Sequence, residues 1–194
     1  MLEHITNYFT EAFSSPLDIV GQIFGSIATL ISLVTFASVH RKRILMTKFA
    51  SDVLWMFSFL LGGAWSGAVT NGVNSVRDGV FYFKKDSWKR MWFIPAGFIA
   101  FYVVSGALAW TGMISLLPMA SAFIAVVGLW LTKPLYTRIL YIPSALMWIV
   151  YSFYTYNIMA AVCNIFYLIS IVIGLIKDHK QKKATQNKRE EKLC

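Results

Sequence analysis

Long apolar runs, broken at short intervals by clusters of lysine and arginine, set the strongest limit on what this chain can fold into. A helix of about 20 apolar residues crosses a bilayer core of ~30 Å. Seven runs near that length follow one another, at 18–39, 48–64, 66–83, 91–110, 114–131, 139–154 and 158–176. The chain is 57% apolar and only 14% charged, which is too little charge for a soluble domain. The pattern predicts an all-α membrane protein with seven transmembrane helices. Ser15-Pro16 offers the first helix an N-cap followed by a first-turn proline. Gly62, Gly63 and Gly67 mark a turn between the second and third runs, against the alternative of one long tilted helix. The second, third and sixth runs are short for a full crossing.

The position of the charges orients the chain. With seven crossings and the N-terminus outside, Arg41, Lys42, Arg43, Lys48, Lys84, Lys85, Lys89, Arg90, Lys133, Arg138 and the basic tail all reach one side. The outer segments then keep Glu3, Glu11 and Asp18 and no lysine or arginine. Every basic residue except Arg77, which lies within a run, obeys the positive-inside rule. The expected topology is multi-pass, N-terminus outside and C-terminus cytoplasmic. The net charge of +9 then finds its partner in membrane lipids with anionic headgroups, not in nucleic acid. Residues 1–17 lack the basic start and small-residue cleavage site of a signal peptide, so they read as an extracytoplasmic segment. The polar tail, 177–194, is expected to be disordered or interfacial. Cys163 sits in an apolar run and Cys194 in the tail, so no disulfide is expected. Cys194 also lacks the three following residues of a prenylation box.

A weak internal repeat runs through the same segments. At an offset of 93 residues Trp55 meets Trp148 and Asn71 meets Asn164, as Ile31 meets Ile124, Val34 Val127, Ser51 Ser144 and Ala68 Ala161. Repeats of this kind constrain the fold before anything else does. The fourth run has no partner. The expected organisation is a first three-helix repeat at 18–83, a cytoplasmic loop and linker helix at 84–112, and a second three-helix repeat at 113–176. Two parallel three-helix bundles joined by one helix match the parallel-repeat plan of some secondary transporters.

The motifs also carry a family likeness. The second half reads Lys133-Pro134-Leu135, then Pro143, Trp148-Ile149-Val150-Tyr151 and Asn164. This resembles the serine–proline–leucine, proline, tryptophan–x–x–tyrosine and asparagine series of SWEET, SemiSWEET and PQ-loop proteins. The first half, with Arg43, residues 51–55, Gly67-Ala68 and Asn74-Ser75-Val76-Arg77, resembles the bacterial inner-membrane family called YgjV, itself SWEET-like. The likeness covers about residues 17–177. It implies a SWEET-like 3+1+3 fold in the bacterial inner membrane. It also implies hinge prolines in both halves. Pro134 and Pro143 fill the second half's positions, whereas Arg41 and Ala50 stand in the first half's. Proline frees a backbone carbonyl and weakens a helix locally, so proline hinges are expected in one half only, with Gly21 and Gly25 as softer points in the other.

The candidate site follows from depth. Asn74 lies ten residues before Lys84, and Trp148 ten after Arg138; each is ~15 Å from the inner boundary at 1.5 Å per residue. Trp55, Asn71, Asn74, Trp148 and Asn164 are therefore expected to line a substrate pocket, with indole faces stacking on a solute and amides bonding its polar edge. The competing reading is interhelical bonds from the asparagines and plain packing of the tryptophans. Asn71, Asn74 and Arg77 recur every three residues and form one polar stripe. A charge inside a span faces a cavity or a partner, and Asp52 and Asp78 are the acids available to Arg77. One expectation makes Asp52, Arg77 and Asp78 an inner gate closed by an Asp52–Arg77 pair. The other is a static ion pair, or snorkelling of Arg77. Gly21, Gly25, Thr29, Ser32 and Thr35 put small residues on one face of the first helix, for close packing.

No metal-ligand spacing, nucleophile elbow, phosphate loop or dinucleotide fingerprint is present in the sequence. The chain is expected to be neither an enzyme nor a holder of metal or cofactor. The expected function is facilitated passage of a small polar solute, sugar-like or nucleoside- or vitamin-like. The alternative is a non-transporting membrane protein that binds lipid or a protein partner, with Phe57, Phe59, Phe166 and Tyr167 filling the centre. A homodimer is compatible with either.

Overall fold

The computed structural model describes residues 2–37, 41–83, 91–130 and 134–191. Of the basic residues that orient the chain, Lys84, Lys85, Lys89, Arg90 and Lys133 lie outside the described residues, as do the side chains of Arg41, Arg138 and the tail. Eight α-helices are described: α1 (Leu2–Ala12), α2 (Pro16–Ala37), α3 (Arg41–Leu61), α4 (Trp65–Tyr82), α5 (Phe93–Leu108), α6 (Leu116–Trp130), α7 (Pro134–Tyr154) and α8 (Ile158–Glu191). A 3-10 turn at Met113–Ser115 leads into α6. No strand occurs among the described residues.

Each of the seven apolar runs forms a helix over its described residues, and two of these helices begin well before the apolar residues do. α3 starts at Arg41 and α7 at Pro134, because a helix continues as long as its backbone bonds close, whatever its first turn carries. α8 likewise runs on to Glu191, so the polar segment after Ile176 is helical rather than disordered. α1 was not expected from the apolar pattern. Its Tyr8 ring lies 5.1 Å from that of Tyr156 and 6.1 Å from that of Phe153, which docks α1 on the turn between α7 and α8.

The helix ends are set by local chemistry. Ser15 caps α2: the Asp18 N–H donates to Ser15 Oγ at 3.2 Å and the Ser15 N–H to Asp18 Oδ2 at 2.9 Å. This is the reciprocal capping box, with aspartate in the glutamate position. α3 and α4 are separate helices. Gly63, at φ +70, donates to the Leu60 carbonyl at 3.1 Å, and Ala64 donates to that of Phe59 at 2.8 Å. That pair of bonds is a Schellman end, which needs a left-handed residue. The same two bonds recur 93 residues later, from Tyr156 to Phe153 and from Asn157 to Ser152, around a Tyr156 at φ 54. Asn157 then caps α8 by accepting from the Ala160 N–H at 3.0 Å.

α3 packs against both α2 and α4, and α7 against both α6 and α8. α2 meets α8, α4 meets α6, and α5 leans on α4 and α6. The surface is inverted relative to a soluble protein. Leu17, Ile23, Leu30, Val104, Val150 and Ile173 are exposed, while Ser58, Ser121, Ser152, Arg77 and Asp78 are buried. An apolar exterior around a polar interior fits hydrocarbon, not water. Three helices are long and apolar enough to cross a membrane, over Pro16–Val34, Lys42–Leu61 and Met113–Trp130, with shorter apolar helices at Phe93–Leu108, Ile139–Tyr154 and Ile158–Ile173. α4 is not among them, because Asn71, Asn74, Arg77 and Asp78, all buried, make it too polar by composition.

Close approaches hold the helices in register. Gly21 leaves room for the Ser58 carbonyl, and Gly25 for Met159, Ser58 and Trp55, so the small face of α2 is a packing face there. Its Thr35 side chain lies outside the described residues. At Gly67 the Tyr151 hydroxyl accepts from the backbone N–H at 2.8 Å and shares a 2.8 Å bond with Ser66 Oγ. A Cβ at Gly67 would lie 2.7 Å from the Tyr151 ring, and that ring is pinned by the two bonds. Gly67→Ala is therefore expected to cost about 1–3 kcal/mol, the usual range for overpacking. A fall in the thermal midpoint of the purified protein would register it, and an unchanged midpoint would mean that Tyr151 can move aside.

Candidate functional site: a polar cavity

Helical periodicity sends one face of each of four helices to a common centre. On α3 the stripe is Lys48, Asp52, Trp55 and Phe59, on α4 Asn71, Asn74 and Arg77, on α7 Tyr141, Ser144 and Trp148, and on α8 Asn164, Tyr167 and Ile171. Residues three and four apart share a helix face, so each stripe is continuous. Together they line a cavity of about 310 Å³. All five residues expected to bind substrate border it, and so do Asp52 and Arg77. Asp78 does not.

The tryptophan–asparagine level has matching chemistry on its two sides. Asn71 Nδ2 donates to the Gly67 carbonyl at 2.9 Å, and Asn164 Nδ2 donates to the Ala160 carbonyl at 2.8 Å. Each amide is thus anchored four residues back on its own helix. Each keeps its oxygen and a second N–H for something else, so neither is spent on an interhelical bond. Phe59 closes this level on the side of the Gly63 and Tyr156 turns. Its ring lies 6.2 Å from Trp55, 5.6 Å from Trp148 and 5.6 Å from Tyr151. Asn157 reinforces the closure by donating to Ser58 Oγ at 2.9 Å. Beyond Phe59 lies a second polar cavity of about 180 Å³, which Phe59 also borders, with Gln22, Ser58 and Asn157. Phe57 and Phe166 point outward, and Tyr167 forms part of the wall, so of the four bulky candidates only Phe59 obstructs the centre.

At the charged level Arg77 is within ion-pair reach of both acids, and the contact with Asp78 is the closer. Arg77 Nε donates to Asp78 Oδ1 at 2.7 Å, whereas its nearest approach to Asp52 is 3.9 Å. Adjacent on α4, Arg77 and Asp78 form the close pair, and Asp52 stands off from it. Arg77 Nη1 also donates to Asn74 Oδ1 at 3.0 Å and to the Tyr102 hydroxyl at 3.3 Å, while Tyr102 donates to Asn74 Oδ1 at 2.6 Å. Arg77 is 1% exposed and Asp78 0%, which rules out snorkelling. Asn74 therefore serves the guanidinium as well as bordering the cavity. Lys48 completes the group, with Nζ 3.9 Å from Asp52 and 3.8 Å from Asp78.

Three members of this level were not singled out from sequence. Tyr102 is on α5 and reads as one aromatic residue among many, Lys48 reads as a boundary charge, and Tyr141 sits near the start of its run. Ser121 and Ser144, which share a 2.7 Å bond across α6 and α7, gave no signal beyond the repeat of Ser51 in Ser144. Among the hinge candidates, Pro134 is the first residue of α7 and Pro143 lies inside it. A proline at the first helical position forfeits no hydrogen bond, so of the two only Pro143 interrupts the helix ladder.

The energetics give a direct check. Removing one member of a buried pair strands the other charge, at a cost of about 3–5 kcal/mol. Arg77→Gln is expected to lose that much, and Asp78→Asn combined with it should recover part of the loss. Asp52→Asn combined with Arg77→Gln should come out nearer to additive. Thermal unfolding of the single and double variants measures both couplings, and a larger coupling for Asp52 would make it the stronger partner of Arg77.

Comparison with known proteins adds one finding. No curated protein matches the chain, and no solved structure does. The family model Imp-YgjV, described as a bacterial inner membrane protein, matches residues 19–182. With an apolar exterior, helices long enough to cross a bilayer and a match over most of its length, the chain belongs to this family of bacterial inner membrane proteins.

Proposed function

We propose that this protein is a facilitative carrier that passes a small polar solute through the central cavity. In this reading the apolar helices cross the inner membrane seven times, as two parallel three-helix units, α2–α4 and α6–α8, joined by α5. The N-terminus is outside, and the C-terminus is cytoplasmic. The observation that carries the proposal is the cavity itself. It is bordered by both members of both tryptophan–asparagine pairs, and both amides are anchored in the same way with hydrogen-bonding capacity to spare.

Further support comes from correspondence between the halves. The turns at Gly63 and Tyr156 use the same two bonds. The contacts of α2 with α8 and of α4 with α6 are exchanged by the 93-residue offset. A solute between Trp55 and Trp148 would meet the Phe59 layer on one side and the charged level on the other. Phe59 is a single aromatic layer between two polar cavities, which suits a barrier that opens. Pro143 weakens α7 between Tyr141 and Trp148, where the two halves of the wall would have to bend. The rival reading, a lipid- or partner-binding protein without a pathway, needs a filled centre, and Phe57 and Phe166 face outward.

The test is ligand-induced thermal stabilisation in nanodiscs with sugars, nucleosides, vitamins and amino acids. A ligand at a hundred times its Kd should add about 2.7 kcal/mol. The effect is expected to vanish in Trp148→Ala and in Asn164→Ala, with both unliganded variants still folded. A panel with no hit, or a hit indifferent to both substitutions, would move the weight to the rival reading.

A further inference from the structure

The charged level of the cavity is only half satisfied. Arg77 and Asp78 are committed to each other, and Arg77 also to Asn74 and Tyr102. Lys48 and Asp52 are held only by ion contacts of 3.8–3.9 Å, and Asp78 Oδ2, off the cavity lining, is likewise buried without a hydrogen-bond partner. Lys48 and Asp52 both border the cavity, one turn apart on α3. Their 3.9 Å separation gives Coulomb attraction but is too long for a hydrogen bond. The Lys48 ammonium makes no hydrogen bond among the described residues, and Asp52 Oδ2 is buried without a partner. Beside them the Tyr141 hydroxyl, on the cavity wall, is also buried without a partner. Buried polar groups are normally paired. Here a cation, an anion and a neutral hydroxyl are left open toward one space.

That combination selects among solutes. Lys48, Asp52, Arg77 and Asp78 sum to zero charge. A solute with a single net charge would leave an uncompensated charge in a low-dielectric interior, which is costly. An uncharged polyol brings no charge to either Lys48 or Asp52. A dipolar head group answers both and leaves the sum at zero. We propose that this end of the cavity is a subsite for the head group of a free α-amino acid, with the ammonium on Asp52 and the carboxylate on Lys48 and the Tyr141 hydroxyl. The proposal rests on the carrier reading above and narrows its solute. Asp52 and Trp55 are three residues apart, ~4.5 Å along the helix. The side chain of a bound amino acid therefore falls between the tryptophans, which favours an apolar or aromatic one.

The full-length protein in nanodiscs provides the test. The probes are L-phenylalanine, L-leucine and L-tryptophan, against phenylalaninamide, which lacks the carboxylate, 3-phenylpropionate, which lacks the ammonium, and a sugar and a nucleoside. At least one amino acid is expected to raise the thermal midpoint. Its amide and its deaminated acid should bind about tenfold more weakly or worse. Asp52→Asn should remove binding. Because that variant strands Lys48 and could fail to fold, Tyr141→Phe is the second one; it keeps the ring and is expected to raise Kd about tenfold. Truncated head groups that bind as well as the intact amino acid, or a Tyr141→Phe protein with unchanged Kd, would make the charged level a structural cluster only and overturn the proposal. A sugar or nucleoside whose stabilisation needs Trp148 and Asn164 but neither Asp52 nor Tyr141 would also overturn it, while leaving the carrier reading intact. No stabilisation by any probe overturns both.

Discussion

Four charges held inside an apolar bundle are the constraint on which the rest of this structure depends. A charge at bilayer depth costs at least ~2.5–3.5 kcal/mol on insertion scales unless it faces a cavity or a partner. Arg77 and Asp78 meet that demand by their 2.7 Å contact, with Lys48 and Asp52 close by. α4 carries both members of the close pair, and it is the helix that most needs shelter. α3, α5 and α6 pack around it. The contribution of α5 is Tyr102, which binds Asn74 and the guanidinium. α5 thus has a physical task on the charged side of the bundle.

The neutral level above the charges follows a different logic. Asn71 and Asn164 cannot leave their amides idle among apolar residues, and each bonds a carbonyl on its own helix. That local anchoring holds the amides in place without joining two helices, and it leaves a space between the helices that an interhelical bond would have closed. Phe59 seals the space with ring contacts to Trp55, Trp148 and Tyr151. Tyr151 is itself fixed on Gly67 and Ser66. The seal and the pocket therefore share residues, so a change at one is felt at the other.

Much of this was legible in the chain. The apolar runs located seven of the eight described helices, α2 to α8, since a backbone in hydrocarbon must satisfy its own hydrogen bonds. Ser15 and Gly62-Gly63 marked ends, because caps and left-handed turns need specific residue types. The repeated tryptophan and asparagine pointed to residues that share one cavity. Less was legible at the charged level. Sequence spacing named Asp52 and Asp78 as the acids available to Arg77, but which of the two lies closer turns on ångström differences, 2.7 Å for Asp78 against 3.9 Å for Asp52. Tyr102 and Tyr141 look like ordinary aromatic residues of apolar runs. Only their hydroxyls matter, and which way a hydroxyl faces is not encoded in local periodicity.

The sequence by itself determined the class of molecule: an all-helical bacterial inner membrane protein with polar residues within its apolar helices. It could do so because hydropathy, capping and helical period are local, and a few neighbouring residues settle each. Which charges pair, that Phe59 rather than Phe57 closes the cavity, and that Lys48, Asp52 and Tyr141 stay open toward it were decided by tertiary structure alone. Those outcomes depend on distances between side chains from helices far apart in the chain, and no local pattern carries that information.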